Sequence, residues 1–238
     1  LFRSIAMGSV SETIKETIDY LRRQGRKVGL LNVHLYRPFS IRHFIKEIPA
    51  TVEQIAVLDR TKEPGSVGEP LYTDVVNAYH KENKPMKIIG GRYGLSSKDT
   101  TPAHIIGVYD NLEAKNPKDD FTISIIDDVT NLSLPRGEEI DITPEGCTSC
   151  KIWGLGADGT VGANKNSIKI IGENTELYAQ AYFAYDAKKS GGLTQSHLRF
   201  GKEPIRSPYY VSRADFVACH SPSYVDKYDM AKDLKEGR

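Results

Sequence analysis

Gly154, Gly156 and Gly159 stand in G-x-G-x-x-G spacing, entered from the apolar pair Ile152-Trp153 and followed by Val161, Ile168 and Ile171 at near-helical intervals. Strand, glycine loop and helix in that order are what a phosphate-binding turn requires. The first glycine allows a tight turn, the second lets a phosphate approach the backbone, and the third allows the helix to pack closely. The stretch runs on through Thr160, Gly162, Asn164 and Lys165. Gly154, Gly156, Ala157, Asp158, Gly159, Thr160, Asn164 and Lys165 are therefore the candidate ligand-binding residues, with the backbone N–H groups of Gly156–Gly159 as expected donors. The bland alternative is a strand–helix turn that binds nothing.

Other reactive residue types are sparse. Cys147 and Cys150 have C-x-x-C spacing, but no second such pair or histidine pair accompanies them, so they are expected to be free thiols with no metal. His34, His43, His80, His104 and His220 show no ligand spacing. Alternation along a strand places His197 and Arg199 on one face, and His197 has no acid or nucleophile nearby in sequence. No catalytic residue is assigned. Trp153 reads as core or as the lip of the glycine loop.

These residues sit in an ordinary globular composition: 238 residues, 39% hydrophobic and 26% charged, enough for one large or two ordinary domains. A net charge of +1 gives no global attraction to nucleic acid or anionic membrane, and neither partner is expected. No apolar run approaches the roughly 20 residues that span a bilayer. Few cysteines suit a reducing, cytoplasmic setting. The chain opens in a strand-like segment without an initiator methionine, which reads as a fragment.

Apolar runs at Ser4–Met7, Val28–Val33, Gln54–Leu58 and Lys87–Ile89 alternate with helical patterns beginning near Ser11, Ser40, Pro70 and Pro102. Strands alternating with helices imply a parallel α/β sheet over residues 1–112. Residues 113–150 read as a connector with a β hairpin, Phe121–Ile126 against Glu139–Thr143. From residue 151 to 238 a second α/β unit is expected, Rossmann-like with a parallel sheet and incomplete. It has strands at Leu177–Tyr185, Leu193–Phe200 and Ala214–Cys219, and a charged helical tail over Met230–Arg238.

Four longer runs carry a resemblance: Asp59-Arg-Thr-Lys-Glu-Pro-Gly-Ser-Val-Gly-Glu-Pro-Leu-Tyr72, Gly90-Gly-Arg-Tyr-Gly-Leu-Ser-Ser97, the glycine loop through Lys165, and Ser190-Gly-Gly-Leu-Thr-Gln-Ser-His-Leu-Arg-Phe-Gly201. The chain resembles pyruvate:ferredoxin (flavodoxin) oxidoreductase over nearly its whole length. The resemblance implies a transketolase C-terminal-like domain at 1–112 and the start of a coenzyme A-binding gamma domain at 151–238. It also implies oxidative decarboxylation of pyruvate to acetyl-CoA and CO2, with electrons passed to ferredoxin or flavodoxin. Thiamine diphosphate and iron–sulfur clusters belong to other parts of such an enzyme, since neither a thiamine fingerprint nor a cluster-type cysteine run is present. The segment would support the active site, be inactive alone, and partner with the remaining domains of a homo-oligomeric enzyme.

The residues after the glycine loop bear on the ligand. A nicotinamide dinucleotide wants an acid about 20 residues on. Asp186 stands there, but Lys188 and Lys189 follow it. Paired lysines suit the 3′-phosphate of coenzyme A, or an NADP phosphate, and equally a solvated loop end. Arg199 could grip a phosphate with its planar fork, or form an ordinary ion pair. Arg60, Lys62, Glu63 and Glu69 flank a Gly/Pro loop at a strand C-terminus and read as a docking surface for neighbouring domains. The alternatives are an NAD(P)-binding Rossmann oxidoreductase and a structural module that binds nothing.

Overall fold

The computed structural model describes residues 2–186, 188 and 191–237, in two compact units that divide between Ile142 and Thr143. No described helix is long and apolar enough to cross a membrane. Lys189 lies outside the described residues.

The first unit runs β1 (Phe2–Ala6), α1 (Val10–Arg23), β2 (Val28–Asn32), α2 (Ile41–Lys46), β3 (Gln54–Asp59), α3 (Pro70–Lys81), β4 (Lys87–Arg92), α4 (Pro102–Glu113) and β5 (Phe121–Thr122). The strands form one sheet in the order β2-β1-β3-β4-β5, every neighbouring pair parallel. A parallel sheet must be covered on both faces, and it is. Val10, Ile14, Ile18 and Leu21 of α1 share one core with Ile105, Val108 and Tyr109 of α4. Phe44 of α2 and Leu71, Val75 and Tyr79 of α3 fill the other. α1 ends where Gly25 takes φ +83° and its N–H reaches the Arg22 carbonyl at 2.9 Å, a helix-ending turn that favours glycine. Ser11 does not cap α1; its hydroxyl donates to Asn32 Oδ1 at 2.8 Å.

The expected connector hairpin does not form. Phe121–Thr122 instead pairs in parallel with Gly91–Arg92 as a fifth strand, and 139–143 has no strand structure. The reason is a packing fit: a Cβ at Gly91 would lie 2.2 Å from the Phe121 ring, so the bare glycine is the seat of a fully buried phenylalanine. Glu139 is drawn to the start of α4, accepting from Thr101 Oγ1 at 3.2 Å and pairing with Arg136.

The same geometry accounts for the two signature runs of this unit. Asp59, buried at the end of β3, accepts the N–H groups of Leu71 and Tyr72 at 3.0 and 3.1 Å, satisfying the first turn of α3. Glu69 accepts from the Glu63 N–H at 2.8 Å and from Arg92 Nε at 2.5 Å, which closes the 60–69 loop on itself. Glu69 is thus an internal staple, buried behind the loop, while Arg60, Lys62 and Glu63 are exposed and Val67 at the loop tip is 93% exposed.

The second unit contains β6 (Thr148–Leu155), α5 (Thr160–Asn174), β7 (Tyr178–Tyr185), β8 (Leu193–Gly201) and β9 (Phe216–Cys219). Its α/β character is as expected, but its sheet is mixed rather than parallel. The order is β7-β8-β6-β9, with β8 antiparallel to both of its neighbours and β9 parallel to β6. A connection as short as 186–192 can join only antiparallel strands, so β8 turns back and inserts between β6 and β7. One sheet face, around Cys150, Ile152 and Leu198, packs toward Ile168 of α5. The other is covered by the segment after β8. There Tyr228 lies 5.5 Å from Trp153 between ring centroids, Tyr210 stacks on His197 at 4.5 Å, and Lys151 Nζ reaches Asp233 at 2.5 Å. The charged tail is not an α-helix: it holds a short 3-10 turn, Ala231–Asp233, and bonds back to Ala214 through the Asp233 carbonyl at 2.6 Å.

Candidate functional site

The glycine loop connects β6 to α5, as the spacing predicts, but the glycines exchange the expected roles. Gly154 serves close packing: an added Cβ would fall 2.6 Å from Thr160, the first residue of α5. Gly156 approaches backbone rather than ligand, donating to the Gly192 carbonyl at 2.7 Å and accepting from the Gly191 N–H at 3.3 Å. Gly159 takes φ +88° with open space where a Cβ would sit, so this third glycine makes the turn into the helix. Ala157 also adopts a positive φ, +76°.

Two of the four expected N–H donors are therefore spent within the chain, Gly156 on Gly192 and Asp158 on the Leu155 carbonyl at 3.0 Å. Asp158 also places its own carboxylate at the helix start, accepting from the N–H groups of Leu155 and Thr160, both at 2.8 Å. Partial burial pushes the Asp158 pKa up. The N–H groups of Thr160 and Leu155 outweigh it, and the carboxyl is held below its usual range. What remains open at the first turn of α5 is the pair of N–H groups of Val161 and Gly162, which helix geometry leaves without an intrahelical acceptor. The space beside Gly159 and Gly162 is clear of protein atoms.

The candidate side chains divide into exposed and buried ones. Lys165 is exposed one helical turn on, its Nζ 5.4 Å from the Phe183 ring centroid, and Lys188 is exposed in the 186–192 loop. Asn164 is buried and donates to Ser196 Oγ at 3.0 Å, which ties α5 to β8. Thr160 is buried too, with its hydroxyl 2.9 Å from His220 Nδ1 at the end of β9. Sequence spacing gave no hint of that pair, whose members stand 60 residues apart.

Arg199 does not grip a phosphate. It is 2% exposed, and its guanidinium donates to the carbonyls of Ser207, Tyr209 and Tyr210 at 3.2, 2.7 and 3.3 Å. It organises the chain leaving β8. His197 shares its face, as alternation predicts, and accepts the Val211 N–H at 3.1 Å through Nδ1. Burial, with Lys151 and Arg199 adding to it, pulls the His197 pKa down to about 3, so the ring is neutral and carries its proton on Nε2. On the strand opposite, Cys150 is buried and its thiol is pushed up to about 11, mainly by that burial. Such a thiol is a poor nucleophile at neutral pH.

The geometry disfavours a nicotinamide dinucleotide. In that fingerprint the acid ends the strand next to the glycine loop's own strand. Here Asp186 ends β7, and β8 separates β7 from β6, so the carboxylate's strand lies two spacings, about 10 Å, from the loop's strand.

Residues 3–105 match the pyruvate:ferredoxin oxidoreductase core domain II family, and residues 149–238 match the pyruvate ferredoxin/flavodoxin oxidoreductase family. Over 98% of its length the chain is 61% identical to a pyruvate-flavodoxin oxidoreductase of Enterobacter agglomerans and 57% identical to a pyruvate:ferredoxin oxidoreductase of Moorella thermoacetica. It is 50% identical to a mitochondrial pyruvate dehydrogenase [NADP(+)] of Euglena gracilis over the same share. The chain spans 20% of the length of the first two relatives and 13% of the third.

Proposed function

We infer from the premise that this chain belongs to the pyruvate:ferredoxin/flavodoxin oxidoreductase family that it is the part of such an enzyme that supports the active site and binds the phosphates of coenzyme A. The whole enzyme would convert pyruvate and coenzyme A to acetyl-CoA and CO2 and pass electrons to a ferredoxin or flavodoxin. Thiamine diphosphate supplies carbanion stabilisation in such chemistry, and iron–sulfur clusters carry the electrons. Both would be held by the rest of the enzyme, a cytoplasmic homo-oligomer. Relatives named for flavodoxin, for ferredoxin and for NADP(+) all match over this segment, so the segment does not determine the acceptor.

One observation carries the coenzyme A reading: the start of α5 is open beside Gly159 and Gly162, with Lys165 and Lys188 exposed nearby. Helix N–H groups and flexible ammonium groups together suit a phosphate-bearing carrier. Gly159, Val161, Gly162, Lys165 and Lys188 would hold the phosphates, and Lys189 of the same loop is a further candidate. Gly154, Gly156 and Asn164 would shape the turn, with Ala157 and Thr160. Coenzyme A supplies the thiol that accepts the acyl group, while this chain's residues bind and orient it. Calorimetry on the 238-residue chain tests the reading. Coenzyme A should bind and dephospho-coenzyme A should bind more weakly; equal affinity would remove the lysines, and tighter binding of NADH would remove the reading.

A further inference from the structure

β9 runs parallel to β6 and directly beside it, with Cys219 opposite Trp153. Parallel neighbours end at the same edge of a sheet, and at that edge α/β folds bind their ligands. The residue after β9 therefore arrives beside the glycine loop that follows β6. It is His220, whose N–H extends the ladder to the Trp153 carbonyl at 2.9 Å. One ring nitrogen is held and the other is left open. Nδ1 lies 2.9 Å from the hydroxyl of Thr160, the buried first residue of α5. His220 itself is exposed, and among the described residues nothing bonds to its Nε2.

A second polar group points to the same place. Thr194 of β8 stands opposite Gly154, so its side chain shares the sheet face on which Thr160 packs. Thr194 is 6% exposed, and its hydroxyl has no partner among the described residues. Buried hydroxyls are ordinarily paired, so this one marks the turn as built to receive a polar guest. Asp158 adds a requirement. Its carboxylate sits at the same helix start, close enough to His220 for the two to act on each other electrostatically. An anion entering beside that carboxylate needs a further donor to offset the repulsion. In the tautomer that accepts the Thr160 hydroxyl at Nδ1, His220 carries its proton on Nε2 and offers that donor.

We propose that His220 is a phosphate-contacting residue of this site, its Nε2–H donating to the diphosphate of coenzyme A, with Thr160 as the positioning residue that fixes the ring. The proposal rests on the coenzyme A reading. The diphosphate is the assigned partner because each of its phosphoryl groups carries a single charge. The 3′-phosphate is a monoester of nearly two charges, and the lysines of the 186–192 loop suit it better than a turn that already holds Asp158. Calorimetry of the 238-residue chain tests the assignment. His220→Ala should weaken coenzyme A and dephospho-coenzyme A by the same factor, about tenfold, the usual effect of losing a hydrogen bond to a charged group. Thr160→Val should weaken both ligands in the unaltered chain and add little in the His220→Ala background. Side-chain 15N NMR supplies a readout that a merely structural histidine would not move: the Nε2 signal of His220 should shift saturably with either ligand, and more than Nδ1. Unchanged affinity of His220→Ala, a loss confined to coenzyme A, additive losses in the double variant, or an Nε2 signal indifferent to ligand would each overturn the proposal and leave the coenzyme A reading standing. Failure of the unaltered chain to bind either ligand would remove that reading and the proposal with it.

Discussion

Thr160 packs on the bare Cα of Gly154: a methyl group there would lie 2.6 Å from the threonine's Cβ. The start of α5 is thereby pressed against β6, and the Thr160 hydroxyl reaches His220, just past β9, at 2.9 Å. The first glycine of the loop is a packing residue, and its loss should be felt as instability before any loss of binding. Gly154→Ala should destabilise the second unit by about 1–3 kcal/mol, the usual cost of forcing extra volume into a packed site. Urea denaturation followed through Trp153 measures it. Gly162→Ala is the control: with clear space and a helical position, it should stabilise by about 0.5–1 kcal/mol.

In the first unit the matching test is Gly91. A Cβ there would sit 2.2 Å from the Phe121 ring, which is fully buried. Gly91→Ala should cost about 3 kcal/mol or more, because the ring has no free space to move into. Combining it with Phe121→Leu should cost less than the sum of the two single changes, since the smaller side chain relieves the collision. Simple additivity in thermal melts would show that the strain lies elsewhere.

Asp158 is expected to act in opposite senses on folding and on the proposed binding of an anion at the start of α5. Its carboxyl is held below the usual range by the Thr160 and Leu155 N–H groups, against the upward pull of partial burial. A depressed carboxylate contributes stability that is present above its unfolded pKa of about 3.9 and lost as pH falls through the folded value. Asp158→Asn should flatten that acid limb in pH-dependent denaturation. It also removes a negative charge from the start of α5, so phosphate-bearing ligands should bind more tightly. Weaker binding would mean that Asp158 orients the ligand.

His197 gives the second pH test. Its folded pKa of about 3 lies far below the unfolded value, with burial the main cause and the charges of Lys151 and Arg199 contributing. The unfolded chain therefore takes up the proton first. The associated stability is complete above about pH 6.5 and drains away as pH drops toward the folded value. His197→Phe keeps a ring against Tyr210 and removes the titration, so the second unit should become less pH-sensitive between those limits. His104, lowered to about 4 chiefly by burial, leaves a separate dependence in the first unit. An unchanged slope in the second unit would place the titration on another group.

Much of this was legible from local pattern. The alternation of the first unit follows from short apolar runs and amphipathic helical patterns, and those signals are local. β5 was not legible as a lone two-residue strand, because Phe121 is placed by a cavity over Gly91 that only the assembled sheet creates. The insertion of β8 between β6 and β7 was equally hidden, since hydrophobic periodicity marks a strand but not its neighbour. The glycine loop and helix were found by spacing. Arg199 was misassigned because sequence shows its charge and conceals the carbonyls of Ser207, Tyr209 and Tyr210 that occupy it.

The central claim, that a phosphate-bearing carrier docks at the start of α5, is tested most directly by amide NMR of the 15N-labelled chain titrated with coenzyme A. Saturable shifts should concentrate at the N–H groups of Gly159, Val161 and Gly162, extend to the neighbourhood of Lys165 and Lys188, and leave Gly156 and the backbone around Arg199 little changed. Shifts centred away from the β6–α5 turn, or none at concentrations where calorimetry reports binding, would contradict it.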